Sequence, residues 1–247
     1  MRHLLFRSAL RIGETVQLSS SDAHYISRVL RLKEGDRFLA LDSDGVLYTL
    51  RIATAGEGVS ALVEEERRGR GSSAQGVSVT LYQALPKGNR FSDVVRQAVQ
   101  AGATRIVPLL TERTVVHADG AERMKRWERI AREAVQQSGA VNPVVIDPPA
   151  ELDSIHSAPG ALSLALHEKP IAQGSLHGYL ERVPGCVELA VGPEGGFSDR
   201  EIDLLLSRGF KPLYLGPRVF RTETAAVYAL GAVQMIVEER DTWQPTE

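Results

Sequence analysis

Residues 188–226, ELAVGPEGGFSDREIDLLLSRGFKPLYLGPRVFRTETAA, decide the fold of this chain. The short apolar run Leu189-Ala190-Val191 breaks into Gly192-Pro193-Glu194-Gly195-Gly196, and a second run, Pro212 to Leu215, breaks into Gly216-Pro217-Arg218. Between them Ser198 stands three residues before Glu201, the spacing of a capping box. It leads an apolar face of Ile202, Leu205 and Leu206 that Gly209 closes. Arg221-Thr222-Glu223-Thr224 then opens a long helix of small residues, expected over about 224–239. Two strand ends side by side are where a parallel α/β sheet receives a small ligand. Glycine lets backbone approach that ligand closely, and proline stiffens the turn. Neither loop has the lysine of a GxxxxGK[ST] motif or the GxGxxG spacing, and Glu194 puts a carboxylate where a pyrophosphate needs amides. Either loop alone also reads as a plain strand-to-helix turn; the pairing with Arg-Thr-Glu-Thr favours a site.

Upstream, the pattern alternates strand and helix from Val77 onward. Val77 to Leu85 reads as a strand ending in Pro86-Lys87-Gly88. Phe91 to Ala101 is amphipathic, with Phe91, Val94, Val95, Ala98 and Val99 on one side, and Gly102 closes it. Arg105 to Leu110, Val144 to Ile146 and Ala161 to Leu166 read as further strands, with a long helix from about Ala121 to Ser138 ended by Gly139. Trp127 shares a helix register with Ile130, Ala131 and Ala134, which makes it a core residue and not a base-stacking platform. The alternation predicts a parallel α/β sheet with helices on both faces, an open doubly wound sheet on pattern alone.

Residues 1 to about 70 keep a different rhythm. Short runs recur at Leu4–Phe6, Thr15–Leu18, Arg37–Leu41, Val46–Ile52 and Val59–Val63, with Asp44-Gly45 as a hairpin signal. Asp22 to Leu32 reads as one helix with Asp22 as N-cap, and His24, Arg28 and Arg31 fall on one of its faces. Such a set of strands with one inserted helix predicts a compact barrel. The charged, then Gly/Ser-rich run from Glu64 to Ser73 reads as a linker, so two domains are expected, 1–72 and 76–247.

The 247 residues are enough for two modest cores, and 43% hydrophobic with 24% charged residues is an ordinary globular composition. A lone cysteine, Cys186, excludes a disulfide framework and a cysteine-rich zinc site and fits a reducing cytoplasm. No metal is expected. No secretory signal is read at the start, where Arg2, His3 and Arg7 interrupt the apolar residues, and the Ala225–Val237 run is too short to span a bilayer. Net charge is −2: residues 1–75 hold 11 Lys+Arg against 10 Asp+Glu, the remainder 18 against 21. A nucleic-acid surface must then be a local patch and not a global field.

VGPEGGFSDREI followed by LGPRVFRTETA is similar to the signature of the SPOUT methyltransferases, most closely the RsmE family, and the similarity runs over most of the chain. The resemblance implies S-adenosylmethionine-dependent methylation of N3 of one uridine in 16S ribosomal RNA, free or in the assembled small subunit. It also implies a PUA-like RNA-binding barrel, a SPOUT α/β domain with a trefoil knot, and a homodimer. The candidate cofactor site gathers three strand ends: Leu166 and His167; Gly192, Pro193, Glu194, Gly195 and Gly196; and Leu215, Gly216, Val219, Phe220 and Arg221, continued by Thr224 and Ala225. Glycine loops without a lysine suit a phosphate-free, cationic cofactor. His167 reads as loop structure.

Methylation at N3 of uracil needs loss of an imide proton and stabilisation of the anion. Arg221 fits the second role, aimed at a uracil oxygen, and Glu223 is the candidate proton acceptor. The competing reading makes Thr222 or Thr224 a helix cap and Glu223 a complement to the helix dipole. Candidate RNA contacts are Arg7, His24, Arg28 and Arg31 in the first domain, and Lys87, Arg90 and Arg113 in the second. A solvated helix face is the alternative for Arg28 and Arg31. Where the family commonly carries Lys and Glu, this chain has Gln97 and Gln100; where it has Glu and Arg, this chain has Gln136 and Ala140. Charges of both signs are lost together, as for an ionic cluster replaced as a set. These changes are the support for a rival reading, a non-catalytic RNA-binding or ribosome-assembly protein. A nicotinamide-dependent dehydrogenase is a further rival, opposed by the missing GxGxxG.

Overall fold

A computed structural model describes residues 3–6, 8–54, 58–67, 77–114, 120–138, 144–171, 174–182 and 184–241. The chain divides into two compact units, residues 1–74 with 135–143, and residues 75–134 with 144–247. Among the described residues no helix is long and apolar enough to cross a membrane.

The first unit is a small curled sheet of β1 (His3–Leu5), β2 (Thr15–Gln17), β3 (Arg37–Leu41), β4 (Leu47–Thr54) and β5 (Ser60–Arg67), ordered β1-β3-β4-β5-β2. β1 runs parallel to β3 and the other pairs are antiparallel. The β4–β5 ladder shifts register at Thr49/Leu50 and again at Ile52/Thr54, irregularities that bend a strand pair and sharpen its twist. Asp44-Gly45 sits in the β3–β4 hairpin as expected, with Gly45 at φ 78°. The buried Asp42 carboxylate holds that turn by accepting the backbone N–H of Asp44 (2.9 Å), Val46 (2.9 Å) and Leu10 (3.3 Å). Leu4, Ile26, Phe38, Leu50, Ile52 and Val63 close the core.

The inserted helix differs from expectation. α1 covers Ser20–His24 and continues as a π-helical turn over Tyr25–Leu30. Ser19, not Asp22, is the N-cap: its hydroxyl accepts from the Asp22 N–H at 3.2 Å, and Asp22 lies inside the first turn. Arg31 takes a left-handed conformation, φ 56°, so the helix stops before it and the i+7 relation to His24 is lost.

The second unit is built on one all-parallel sheet: β6 (Ser78–Ala84), β7 (Arg105–Leu110), β8 (Val145–Ile146), β9 (Ala150–Glu151), β10 (Leu162–Leu166), β11 (Cys186–Val191) and β12 (Lys211–Leu213). The order is β12-β10-β11-β6-β7-β8, with β9 also on β7. β11 is central, paired from Cys186↔Ser78 to Val191↔Gln83 on one side and with β10 on the other. Its residues 187–191 are all buried, as a strand covered on both faces must be. Helices α2 (Phe91–Gln100), α3 (Ala121–Ser138, of which residues 121–134 fall in this unit), α4 (Leu176–Tyr179), α5 (Asp199–Ser207) and α6 (Thr222–Asp241) complete the unit.

One face of the sheet packs Ala84, Leu109, Ala165 and Ala190 against Phe197, Ile202, Leu205 and Phe210 of α5 and its flanks. On the other face α6 lies against β6, β11 and α2. The capping box of α5 forms as its sequence requires, with Ser198 Oγ accepting from the Glu201 N–H (3.2 Å) and Glu201 Oε2 from the Ser198 N–H (2.8 Å). Trp127 is buried, its ring centroid 4.4 Å from that of Phe91. α6 begins two residues earlier than expected, at Thr222.

Candidate active site

The carboxyl ends of β10, β11 and β12 converge on a cleft open to solvent. Its three walls are Leu166–Glu168, Val191–Glu194 with Gly196, and Leu215–Phe220, closed by Thr222 and Ala225 of α6. Each wall turns sharply because its sequence allows it. Pro193 to Gly196 forms a turn with the Gly196 N–H on the Pro193 carbonyl (2.9 Å) and Gly196 at φ 66°. A Cβ on Gly192 would lie 2.9 Å from the Phe197 backbone nitrogen, so the folded-back loop admits no side chain there. Phe220 is held by a stack on Tyr228 of α6, centroids 4.9 Å apart and planes 26° apart.

Three basic residues named from the sequence meet the same loop, Lys87 through its backbone. Glu194 accepts from the Lys87 backbone N–H (3.0 Å) and pairs with Arg90 (3.4 Å). The Arg113 guanidinium donates to the Gly195 carbonyl. The carboxylate that spoils a phosphate cradle is therefore a tether between the β6 and β11 loops. Lys87 keeps its ammonium group without a partner among the described residues. His167 holds its own loop: its Nδ1 lies 2.9 Å from the Lys169 carbonyl and 3.2 Å from the Lys169 nitrogen, and its backbone N–H donates to the Leu213 carbonyl.

Of the residues assigned to cofactor binding, Leu166, His167, Gly192, Pro193, Glu194, Gly196, Leu215, Gly216, Val219, Phe220 and Ala225 line the cleft. Gly195, Arg221 and Thr224 stand beside it without lining it. Arg221 is exposed immediately before α6, and its guanidinium has no partner among the described residues. Glu223 falls on the opposite side of α6 from Ala225, with Oε2 buried and without a hydrogen bond among the described residues. His24, Arg28 and Arg31 are exposed in the first unit, their side chains unpaired among the described residues; Arg7 and Ala140 lie outside those residues. Gln97 and Gln100 are exposed on α2.

Sequence reasoning missed two contacts. Thr222 is not a helix cap: its hydroxyl donates to the Gly192 carbonyl (2.6 Å) and accepts from Gln83 Nε2 (2.8 Å). Gln83 was passed over inside an apolar strand, where a lone amide is itself a signal, since a buried amide demands partners. Glu168, Val191, Pro217 and Arg218 also line the cleft.

With apolar side chains on all three walls, backbone groups at the glycine turns, the Glu168 carboxylate and no lysine, the cleft suits a neutral heterocycle with a cationic tail better than a phosphate. Comparison with known proteins agrees. An RNA methyltransferase domain family matches residues 73–234, and an RNA methyltransferase PUA domain family matches residues 18–59. The ribosomal RNA small subunit methyltransferase E of Synechocystis is 36% identical over 92% of this chain and 75% of its own length. A methyltransferase from Legionella pneumophila, solved with bound S-adenosylmethionine, superposes with a TM-score of 0.82 at 32% identity, over 95% of this chain and 98% of that one. The ribosomal RNA small subunit methyltransferase E of Neisseria gonorrhoeae, bound to S-adenosylmethionine, gives 0.84 at 27% identity, over 96% and 98%. With a family domain covering most of its second unit and full-length relatives over nine-tenths of its residues, this chain belongs to the ribosomal RNA small subunit methyltransferase E family.

Proposed function

We propose that this chain binds S-adenosylmethionine in the strand-end cleft and methylates N3 of a uridine in 16S ribosomal RNA. The carrying observation is the cleft itself: a strand-end slot of mixed apolar and polar lining between glycine turns, with no phosphate cradle and an arginine beside it whose guanidinium is unpaired among the described residues. When bound, the cofactor supplies an electrophilic methyl carbon. The chain's own groups do the rest. Arg221, beside the cleft with its guanidinium unpaired among the described residues, stabilises the negative charge that gathers on a uracil oxygen as N3 loses its proton. Glu223 is the candidate acceptor of that proton, reached through water, because its position away from Ala225 does not let it line the cleft.

The remaining assignments belong to the same reading. Residues 1–72 form the RNA-binding domain through His24, Arg28, Arg31 and Arg7, and residues 76–247 form the catalytic domain with the family's trefoil knot. Lys87, Arg90 and Arg113 stand beside the cofactor loop, where a substrate strand would pass. Two copies pair through the outer face of α6, and the enzyme works in the bacterial cytoplasm.

Isothermal titration with S-adenosylmethionine, with NADH as control, tests the reading, followed by methyl transfer to unmodified 16S RNA and to small subunits. Binding of the methyl donor alone and transfer to a uridine support it. Binding of neither ligand would overturn it in favour of a non-catalytic RNA-binding protein.

A further inference from the structure

We propose that Gln83 and Thr222 are a pair of positioning residues: a buried hydrogen-bond relay that ties the start of α6 to the glycine loop of β11 and so places Arg221 beside the cleft. The inference rests on the methyl-donor reading of that cleft.

Three segments far apart in sequence meet in the relay. Gln83, at 0% exposure near the end of β6, donates through Nε2 to the Ala84 carbonyl (3.0 Å) and to Thr222 Oγ1 (2.8 Å). Thr222, at 4% exposure on the first residue of α6, donates to the Gly192 carbonyl at 2.6 Å. A carbonyl only accepts, so the Thr222 proton is committed to Gly192, and its oxygen is left to accept from Gln83. That choice fixes which way the Gln83 amide faces and leaves Oε1 as a buried acceptor without a partner among the described residues. Burying that oxygen unpaired is unfavourable, so the orientation is held by what the nitrogen gains at Thr222 and Ala84.

The relay reaches the site at both ends. Gly192 and Thr222 line the cleft, and Arg221 precedes Thr222. Gly192 sits in a loop folded tightly back on itself, with backbone of residues 196 and 197 filling the space where a side chain would stand. The Thr222 hydroxyl ties the first turn of α6 to that loop. A helix end held only by packing frays; one pinned by a committed hydroxyl keeps its preceding arginine within narrow limits.

The test compares Thr222→Val, Thr222→Ser and Gln83→Glu in the full-length protein. Donor affinity is measured by titration, kcat and KM on 16S RNA, and backbone amide exchange over residues 192–196 and 222–226 without ligand. Thr222→Val keeps volume and loses the hydroxyl; it is expected to speed amide exchange in both segments and to lower kcat or donor affinity by about tenfold or more. Thr222→Ser restores the hydroxyl and recovers both to within about threefold. Gln83→Glu replaces the donor with an acceptor at nearly unchanged volume and behaves as the valine variant does. If Thr222→Val does not fold, the Ser and Glu variants carry the test. A valine variant within twofold of the parent in exchange, affinity and kcat overturns the relay, as does equal loss in the Val and Ser variants. A parent protein that binds no methyl donor refutes the proposed function instead, and amide exchange still decides on the relay.

Discussion

Arg221 is the residue on which the proposed chemistry turns, and its surroundings sharpen what its loss should do. Its side chain stands outside the cleft lining and its guanidinium has no partner among the described residues, so truncating it breaks no contact described in the fold or the cleft. Arg221→Ala is expected to leave S-adenosylmethionine affinity within about tenfold while nearly abolishing turnover, because a contact made in the transition state shows in kcat and not in ground-state binding. Titration beside single-turnover methyl transfer checks this; equal loss of both would make Arg221 a binding residue. At this scale the sequence is legible where a residue answers to its neighbours in the chain. Gly192, Gly196 and Gly216 are readable because tight turns and close backbone approach leave few other choices. Gln83 and the true partner of Thr222 are not, because the bond that gives them meaning spans 139 positions of sequence. Glu194 lies between these cases: its carboxylate was visible, but its role as a tether to Lys87 and Arg90 needed the fold.

Whole elements were read well when their signals were local and periodic. The strand over Arg105–Leu110, the helix over Ala121–Ser138 and the capping box of α5 stand as expected, whereas the cap of α1 was placed three residues late because Ser19 and Asp22 are both good cap residues. The π-helical turn and left-handed Arg31 carry no pattern a 3.6-residue period can show. Two elements of the sheets make opposite predictions about pH. In the first unit Glu64 bridges Arg37 and Arg51 at 2.6 Å each, and the hydrogen bonds from Arg37 and then Arg51 hold its carboxyl below the usual range. A lowered folded-state value stabilises the fold above the ordinary carboxylate range, about pH 4.3, and the gain is lost as pH falls through it. Glu64→Gln should therefore flatten the acid limb of a urea-midpoint profile between about pH 5 and 3. In the second unit the Tyr82 hydroxyl is pushed up, first by burial and then by the charge of Glu188, to which it donates at 3.1 Å. A raised value works the other way: its contribution is whole below the ordinary tyrosine range, about pH 10, and is lost as pH climbs further. Tyr82→Phe should show a shallower alkaline decline than the parent; identical slopes above pH about 10 would remove Tyr82 from the account.

For the molecule as a whole, composition excluded much and specified little, since a net charge of −2 hides any local RNA surface and an α/β alternation fits many topologies. The order β12-β10-β11-β6-β7-β8 follows from long-range pairing that no local period encodes. The pairing of two copies is the assignment with the widest consequences, and the surface of α6 argues for it. Thr222, Ala226, Ala229, Leu230 and Val233 face inward and are buried, leaving an outer stripe on which Tyr228 is 50% exposed and Met235, two turns on, 58% exposed. Gly231 stands between them on the helix, small enough to let another helix approach closely, and Val219 on the adjoining cleft loop is 90% exposed. Large apolar side chains exposed along one helix stripe suit a surface that is covered by another chain. Tyr228 also supports Phe220, so whatever covers the outer face of α6 bears on the cleft wall. Sedimentation equilibrium should return about twice the 26.9 kDa of one chain. Met235→Glu puts a charge on the outer stripe without touching the cleft or the Phe220–Tyr228 stack, and burying it in an interface would be costly. It is expected to give a folded monomer with an unchanged thermal midpoint at low concentration and donor affinity reduced by about tenfold or more, on the argument that a cleft wall uncovered on its outer side is less well held. A variant that stays dimeric would place the interface elsewhere, and one that turns monomeric with donor affinity intact would show each cleft to be complete within a single chain.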